Sequence, residues 1–203
     1  MKKILLISLF VGIGVFQPYT QNAQSLTWDL QLQKGKEWEA IPKNQIIVAE
    51  SGQNFTFFIT PESSCFCYVI SQNSERKIFI LHDQPVKGDM EVKVEPLKAD
   101  NSPGAKTLYV IVSLEKQTKL EEAIKNYKSD PNSQKNANNL QGEIAKLQDT
   151  ASSLGEPSSA LITSGGTTRG TSAGSAPQEY STRFSEKKIY VRTITIRSAK
   201  IAL

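Results

Sequence analysis

The chain has 203 residues, of which 38% are hydrophobic and 22% charged, with eight phenylalanines and two tryptophans, an ordinary composition for a soluble protein with a real core. Its formal net charge is +4, and removal of Lys2 and Lys3 with the N-terminal leader lowers this to +2, too small a surplus to imply a nucleic-acid partner. One histidine in the whole chain leaves no room for His-based triads or His-rich zinc sites.

In chain order, the first segment is a leader. Lys2 and Lys3 precede a run over residues 4–16 that is apolar but for Ser8, and a polar stretch with the small Ala23 follows. A basic start, a short apolar run and a small-residue exit form a secretory signal peptide. The run is too short to cross a hydrocarbon layer of roughly 30 Å, which needs about 20 apolar residues. Residues 1–23 are therefore expected to be removed on export. The remaining residues 24–203 are expected to form a single β-rich domain in the periplasm or extracellular space of a bacterium. No cysteine follows the leader to carry a lipid anchor, and no later segment reaches membrane-spanning length, so no transmembrane segment is expected in the mature chain.

Residues 26–33 alternate cleanly, with Leu26, Trp28, Leu30 and Leu32 on one face, which predicts a half-buried strand. A turn at 34–36, a short segment around Trp38 and residues 45–48 follow. Phe55, Phe57 and Ile59 again show period two. Residues 65–71 and 77–81 read as strands joined by the polar turn at 73–76, with a break before Pro85 and Gly88. Met90, Val92 and Val94 alternate with charged residues. After the turn signal at 101–104, residues 107–113 are apolar on both faces, which predicts a central strand.

The period then changes. Leu120, Ile124 and Tyr127 share one helix face, and Leu140, Ile144, Leu147, Ala151 and Leu154 share another. Asp130-Pro131 reads as an N-cap with proline at the first helical position, and Gly155 as a terminator. Residues 156–178 are rich in Ser, Gly and Thr, and residues 180–184 and 188–197 return to strand character. The expected fold is mainly β, a β-sandwich-like antiparallel sheet. A two-helix insertion at 116–154 and a flexible Ser/Gly-rich loop at 155–178 interrupt it.

Cys65 and Cys67 are the first candidate site. Two residues apart on a strand, they share a face with Cα atoms about 6.6 Å apart, so a disulfide between them would be strained and redox-active. Placed among Phe66, Tyr68 and Val69, they read more readily as two small buried hydrophobes. His82 and Asp83 suggest a base and its orienter, but neighbours on a strand point to opposite faces, and a solvated turn is the expected setting. Glu121 and Glu122 read as a solvated helix face. The Gly-rich stretch at 164–170 lacks the phosphate-loop lysine, and the sequon at 54–56 lies in a predicted strand. Arg183, Lys187, Lys188, Arg192, Arg197 and Lys200 interleave with Tyr180, Phe184 and Tyr190. That pattern can track a polyanion, although charges on an exposed strand more commonly block edge-to-edge pairing. Nothing in the spacing asks for a metal or a cofactor.

The string CFCYVISQNSERKIFIL, followed by SPGAKTLYVIVS and KKIYVRTITI, resembles the bacterial domain of unknown function 4384. The matching positions are Tyr68 and Val69, residues 78–81, Pro103-Gly104 and residues 109–113. The resemblance covers residues 51–113 and 188–197, and the HDQPVKGD loop and the long insertion depart from the usual pattern. The family occurs in secreted or envelope proteins and has no established activity. The resemblance therefore implies a non-catalytic accessory or interaction module of the cell envelope, binding a protein or a surface glycan, and supplies no site residues. The alternative is a thiol-dependent redox or stress protein using Cys65 and Cys67.

Overall fold

The computed structural model describes residues 25–42, 44–50, 52–99, 105–154, 158–161 and 180–198. The expected leader, the turn at 101–104 and most of the expected loop at 155–178 lie outside the described residues. The chain is mainly β. A first sheet runs in the order β7 (Val92–Lys98), β4 (Asn54–Pro61), β1 (Leu26–Lys34), β10 (Thr182–Lys187), β9 (Ser158–Leu161), with the short β2 (Glu37–Glu39) also paired to β1. A second sheet runs β3 (Ile46–Ala49), β11 (Ile189–Ser198), β8 (Ala105–Ser113), β5 (Cys65–Gln72), β6 (Ile78–Val86). Pairing is antiparallel except between β3 and β11, which are parallel.

Alternation decides what each strand buries. Leu26, Trp28, Leu30 and Leu32 of β1 and Phe55, Phe57 and Ile59 of β4 face inward. They meet Cys65, Cys67, Val69, Val110 and Val112 of the second sheet in one core. Trp28 stacks on Phe184 with ring centroids 4.6 Å apart, and Tyr190 meets Trp28 edge-on at 5.8 Å. The Tyr190 hydroxyl accepts from the Lys187 backbone N–H at 3.0 Å, where the chain crosses from β10 in one sheet to β11 in the other.

The apolar pattern of β8 on both faces has its counterpart here, because β8 is the middle strand of the second sheet. Its other face, with Tyr68, Ile70 and Ile78, packs under the helices α1 (Thr118–Ser129) and α2 (Gln134–Ser153). Leu120, Ala123, Ile124, Tyr127, Leu140 and Ile144 complete this second core. The three asparagines and Gly142 of α2 each cost up to about 1 kcal/mol relative to alanine. Full burial of Leu140 and Ile144 contributes about 1.5–3 kcal/mol each, so packing carries the helix. Asn136 has a further role: its side-chain amide donates to the Asn126 carbonyl at 3.0 Å, tying the start of α2 to the last turn of α1.

Four expectations are corrected. The strand after the 73–76 turn does not stop at Leu81 but continues to Val86. As the edge of its sheet, β6 tolerates Pro85, whose missing N–H is not needed on the open side. Asp130 does not cap the second helix. Its N–H closes α1 onto Asn126, and Ser133 caps α2, its hydroxyl accepting from the Asn136 N–H at 3.3 Å. Residues 158–161, expected within the loop, form β9 against β10, because β10 would otherwise leave a backbone edge unpaired. Leu154 does not extend the buried stripe of α2 but lies past its end, 54% exposed.

Candidate functional site

A concave feature lies between α1 and the β5–β6 hairpin, a groove of about 810 Å3. Register builds its floor. Asp83 sits opposite Tyr68 and Pro85 opposite Phe66, so both project to the helix-covered face of the second sheet. Phe66 and Pro85 meet Ile124 of α1 to form an apolar strip. From the helix, Thr118, Glu121, Lys125 and Lys128 recur at three- and four-residue spacing and line the same opening.

The charges bracket this strip in pairs. At one end Tyr68 donates to Glu121 Oε1 at 2.9 Å, and Lys116 reaches Glu121 Oε2, also at 2.9 Å. The Gln117 N–H donates to the same Tyr68 hydroxyl at 3.2 Å. Burial, with the Glu121 carboxylate adding to it, pushes the Tyr68 phenol far above its ordinary value, so it remains a hydrogen-bond donor. At the other end Lys128 Nζ lies 2.7 Å from Asp83 Oδ2. Glu122 and Lys125 stand exposed on the rim. Three lysines and three carboxylates cancel, so the groove offers both signs around an apolar floor and no net charge.

Glu121 is therefore not on a solvated helix face as expected, because the buried Tyr68 holds it against β5; Glu122 is exposed. His82 is not in a solvated turn. It lies inside β6, half-buried and opposite Val69, on the face away from Asp83, so the two do not form a dyad. Burial lowers the imidazole below its ordinary value, against the Gln84 carbonyl at 3.2 Å and the Asp83 carboxylate, which act to raise it.

Cys65 and Cys67 are side by side on the inner face of β5, both buried and neither in a disulfide. Burial pushes the Cys65 thiol up to about 11 and the Cys67 thiol higher still, with the neighbouring Cys65 adding to the second shift. Both stay protonated at neutral pH, out of reach of a substrate. Among the described residues, no three His, Cys, Asp or Glu side chains group as metal ligands would.

The C-terminal basic residues are not gathered on one surface. Arg183 projects outward from the first sheet, where its guanidinium bonds Asp29 Oδ1 at 3.1 Å and also pairs with Glu62. Lys187 is buried and donates to the Ala151 carbonyl at 3.2 Å, complementing the C-terminus of α2. Arg192 lies over the Phe184 ring, 4.5 Å from its centroid. Lys188 and Arg197 are exposed on the crossover and on β11. Lys200 lies outside the described residues. Phe184 and Tyr190 belong to the core, so their rings cannot interleave with the cations along a polyanion.

Sequence reasoning missed the groove because its residues come from three separate segments. The stripe Glu121, Lys125, Lys128 is legible at helical spacing, but the strand face it would meet is not. Among the described residues, no helix is long and apolar enough to cross a membrane. No family model, curated protein or solved structure matches the chain, so the resemblance to domain of unknown function 4384 stands on the quoted motifs alone.

Proposed function

We propose that this chain is a non-catalytic interaction module of the bacterial cell envelope, exported by residues 1–23, whose α1–β6 groove holds an extended segment of an envelope protein. The observation that carries this reading is the apolar strip of Phe66, Pro85 and Ile124, bracketed by Lys116–Glu121 and Asp83–Lys128. A protein segment supplies an apolar anchor with flanking charges of either sign. A polyanion would meet three carboxylates in the same space.

The test is site-specific crosslinking in the native envelope. A photoreactive side chain at Lys125, on the groove rim, should join the exported chain to one discrete protein, identified by mass spectrometry. The same probe at Gly142, on α2 away from the groove, should not. Phe66→Asp in the Lys125 probe chain should abolish the product. Equal crosslinking from both positions, or a product indifferent to Phe66→Asp, would refute the groove. Intact mass of the exported chain should lack the first 23 or 24 residues, and retention of Met1 would refute the export reading.

A further inference from the structure

The helices cover the second sheet, and the outer face of the first sheet carries a separate constellation. Alternation along β1 turns Asp29, Gln31 and Gln33 outward, all half-buried. Phe58 also points outward, between the inward Phe57 and Ile59, yet it is only 5% exposed. Trp38 covers it. From β2, opposite Gln33, the indole reaches across β1 to bring its ring centroid within 4.9 Å of Phe58. Lys93 of β7 covers the other side of Phe58, with Nζ 5.9 Å from the ring centroid. Trp38 is thus held by a buried ring beneath it while remaining partly open to solvent. Beside it, the side-chain amides of Gln31 and Gln33 make no hydrogen bond to any described residue.

We infer that this face binds a neutral, linear glycan of hexose or N-acetylhexosamine units. One sugar ring would stack on Trp38, and its hydroxyl or N-acetyl groups would pair with Gln31 and Gln33. The axial C–H groups of a pyranose meet the electron-rich face of an indole favourably. An amide offers both a donor and an acceptor, which matches hydroxyls that are also both. The other occupants fit less well. A single partly open indole falls far short of a protein interface, which buries about 1,200 Å2 or more in total. On this face Arg183 is already matched by Asp29 and Glu62, and the Lys93 ammonium lies against the Phe58 ring, so a polyanion finds little unmatched charge. Only the place where the glycan is met depends on the export reading; nothing here depends on the groove.

The experiment uses the mature chain with chitohexaose and cellohexaose as probes, followed by calorimetry and tryptophan emission. Of the two tryptophans, Trp28 is fully buried in the core, so an emission change reports Trp38. Saturable binding of at least one oligosaccharide with an emission shift is the expected result. The double variant Gln31→Ala with Gln33→Ala keeps both the Trp38 and Phe58 rings and should weaken binding about tenfold or more. Trp38→Phe, which keeps Phe58 covered, should weaken it as well. Phe66→Asp, in the groove, should leave binding unchanged. Absence of saturable binding to both probes, or affinity indifferent to the glutamine and Trp38 variants, would overturn the inference. Loss of the Lys125 crosslink with glycan binding intact would overturn the groove alone.

Discussion

Cys65 and Cys67 face Val86, Gln84 and Val112 across their strand pairings, in a core closed by the first sheet. The redox alternative needs a thiolate that solvent can reach, and burial holds both thiols well above neutral pH. Replacing both by alanine should cost about 1–3 kcal/mol through two small cavities, read from chemical denaturation, while the Lys125 crosslink persists. Thiol reagents should label the native chain slowly and the unfolded chain fast. Rapid stoichiometric labelling of folded protein would restore the redox reading. His82 gives a second test at this scale, since it is the one histidine. Its folded-state value is lowered by burial, so the unfolded chain takes up the proton first as pH falls. Its contribution to stability is complete above the ordinary histidine value of about 6.5 and declines as pH drops through that value. Asp29 and Glu91 act in the opposite sense at lower pH, because burial raises both carboxyls and the folded chain takes up those protons first. His82→Gln should flatten the fall in melting temperature between about pH 7 and about pH 5. An unchanged slope would assign the acid sensitivity to other groups.

At the scale of elements, the connection from β6 to β7 is pinned to the end of β4. The Asp89 N–H donates to the Pro61 carbonyl at 2.7 Å, and Gly88 passes so close that a Cβ there would sit 2.7 Å from the Glu62 carbonyl oxygen. That neighbour is backbone and cannot swing away. Gly88→Ala should therefore cost about 1–3 kcal/mol, measurable as a lowered urea midpoint with unchanged slope. A neutral substitution would mean that the two loops are not in contact in solution. This contact was not legible in the sequence. Pro85 and Gly88 read as a break, and they are one, but only at the edge of a sheet can a strand run through the proline first. The same holds for Asp130-Pro131, which reads as a cap although the cap of α2 is Ser133, three residues on. Ser133 prevails because it leaves Asp130 to close α1.

Across the whole molecule the chain forms three layers, with the second sheet shared between two cores. Both faces of β5 and β8 are buried, whereas the helices are attached to the sandwich through one face. Hydrogen exchange should therefore be slowest in β8 and β5, and faster in α1 and α2. Leu140→Ala should cost about 2–5 kcal/mol and speed exchange in both helices while β8 keeps its rank. Helices and β8 exchanging together in one step would show the helical layer to be inseparable from the sandwich.

What the sequence determined by itself is local. Period two in Leu26 to Leu32 and in Phe55 to Ile59, the doubly apolar 107–113 run, and the four-three spacing of the helices each follow from side-chain geometry within one element. Those signals suffice for a mainly β fold with two late helices. Only the tertiary structure decided that the helices cover the second sheet and that Glu121 answers to Tyr68, 53 residues away. Only it split Arg183, Lys187 and Arg192 among an outer face, a helix end and an aromatic ring, and set Trp38 over Phe58. The reason is physical: periodicity tells which side chains share a face, but which faces meet depends on closing long loops between distant segments, and no local pattern encodes that closure.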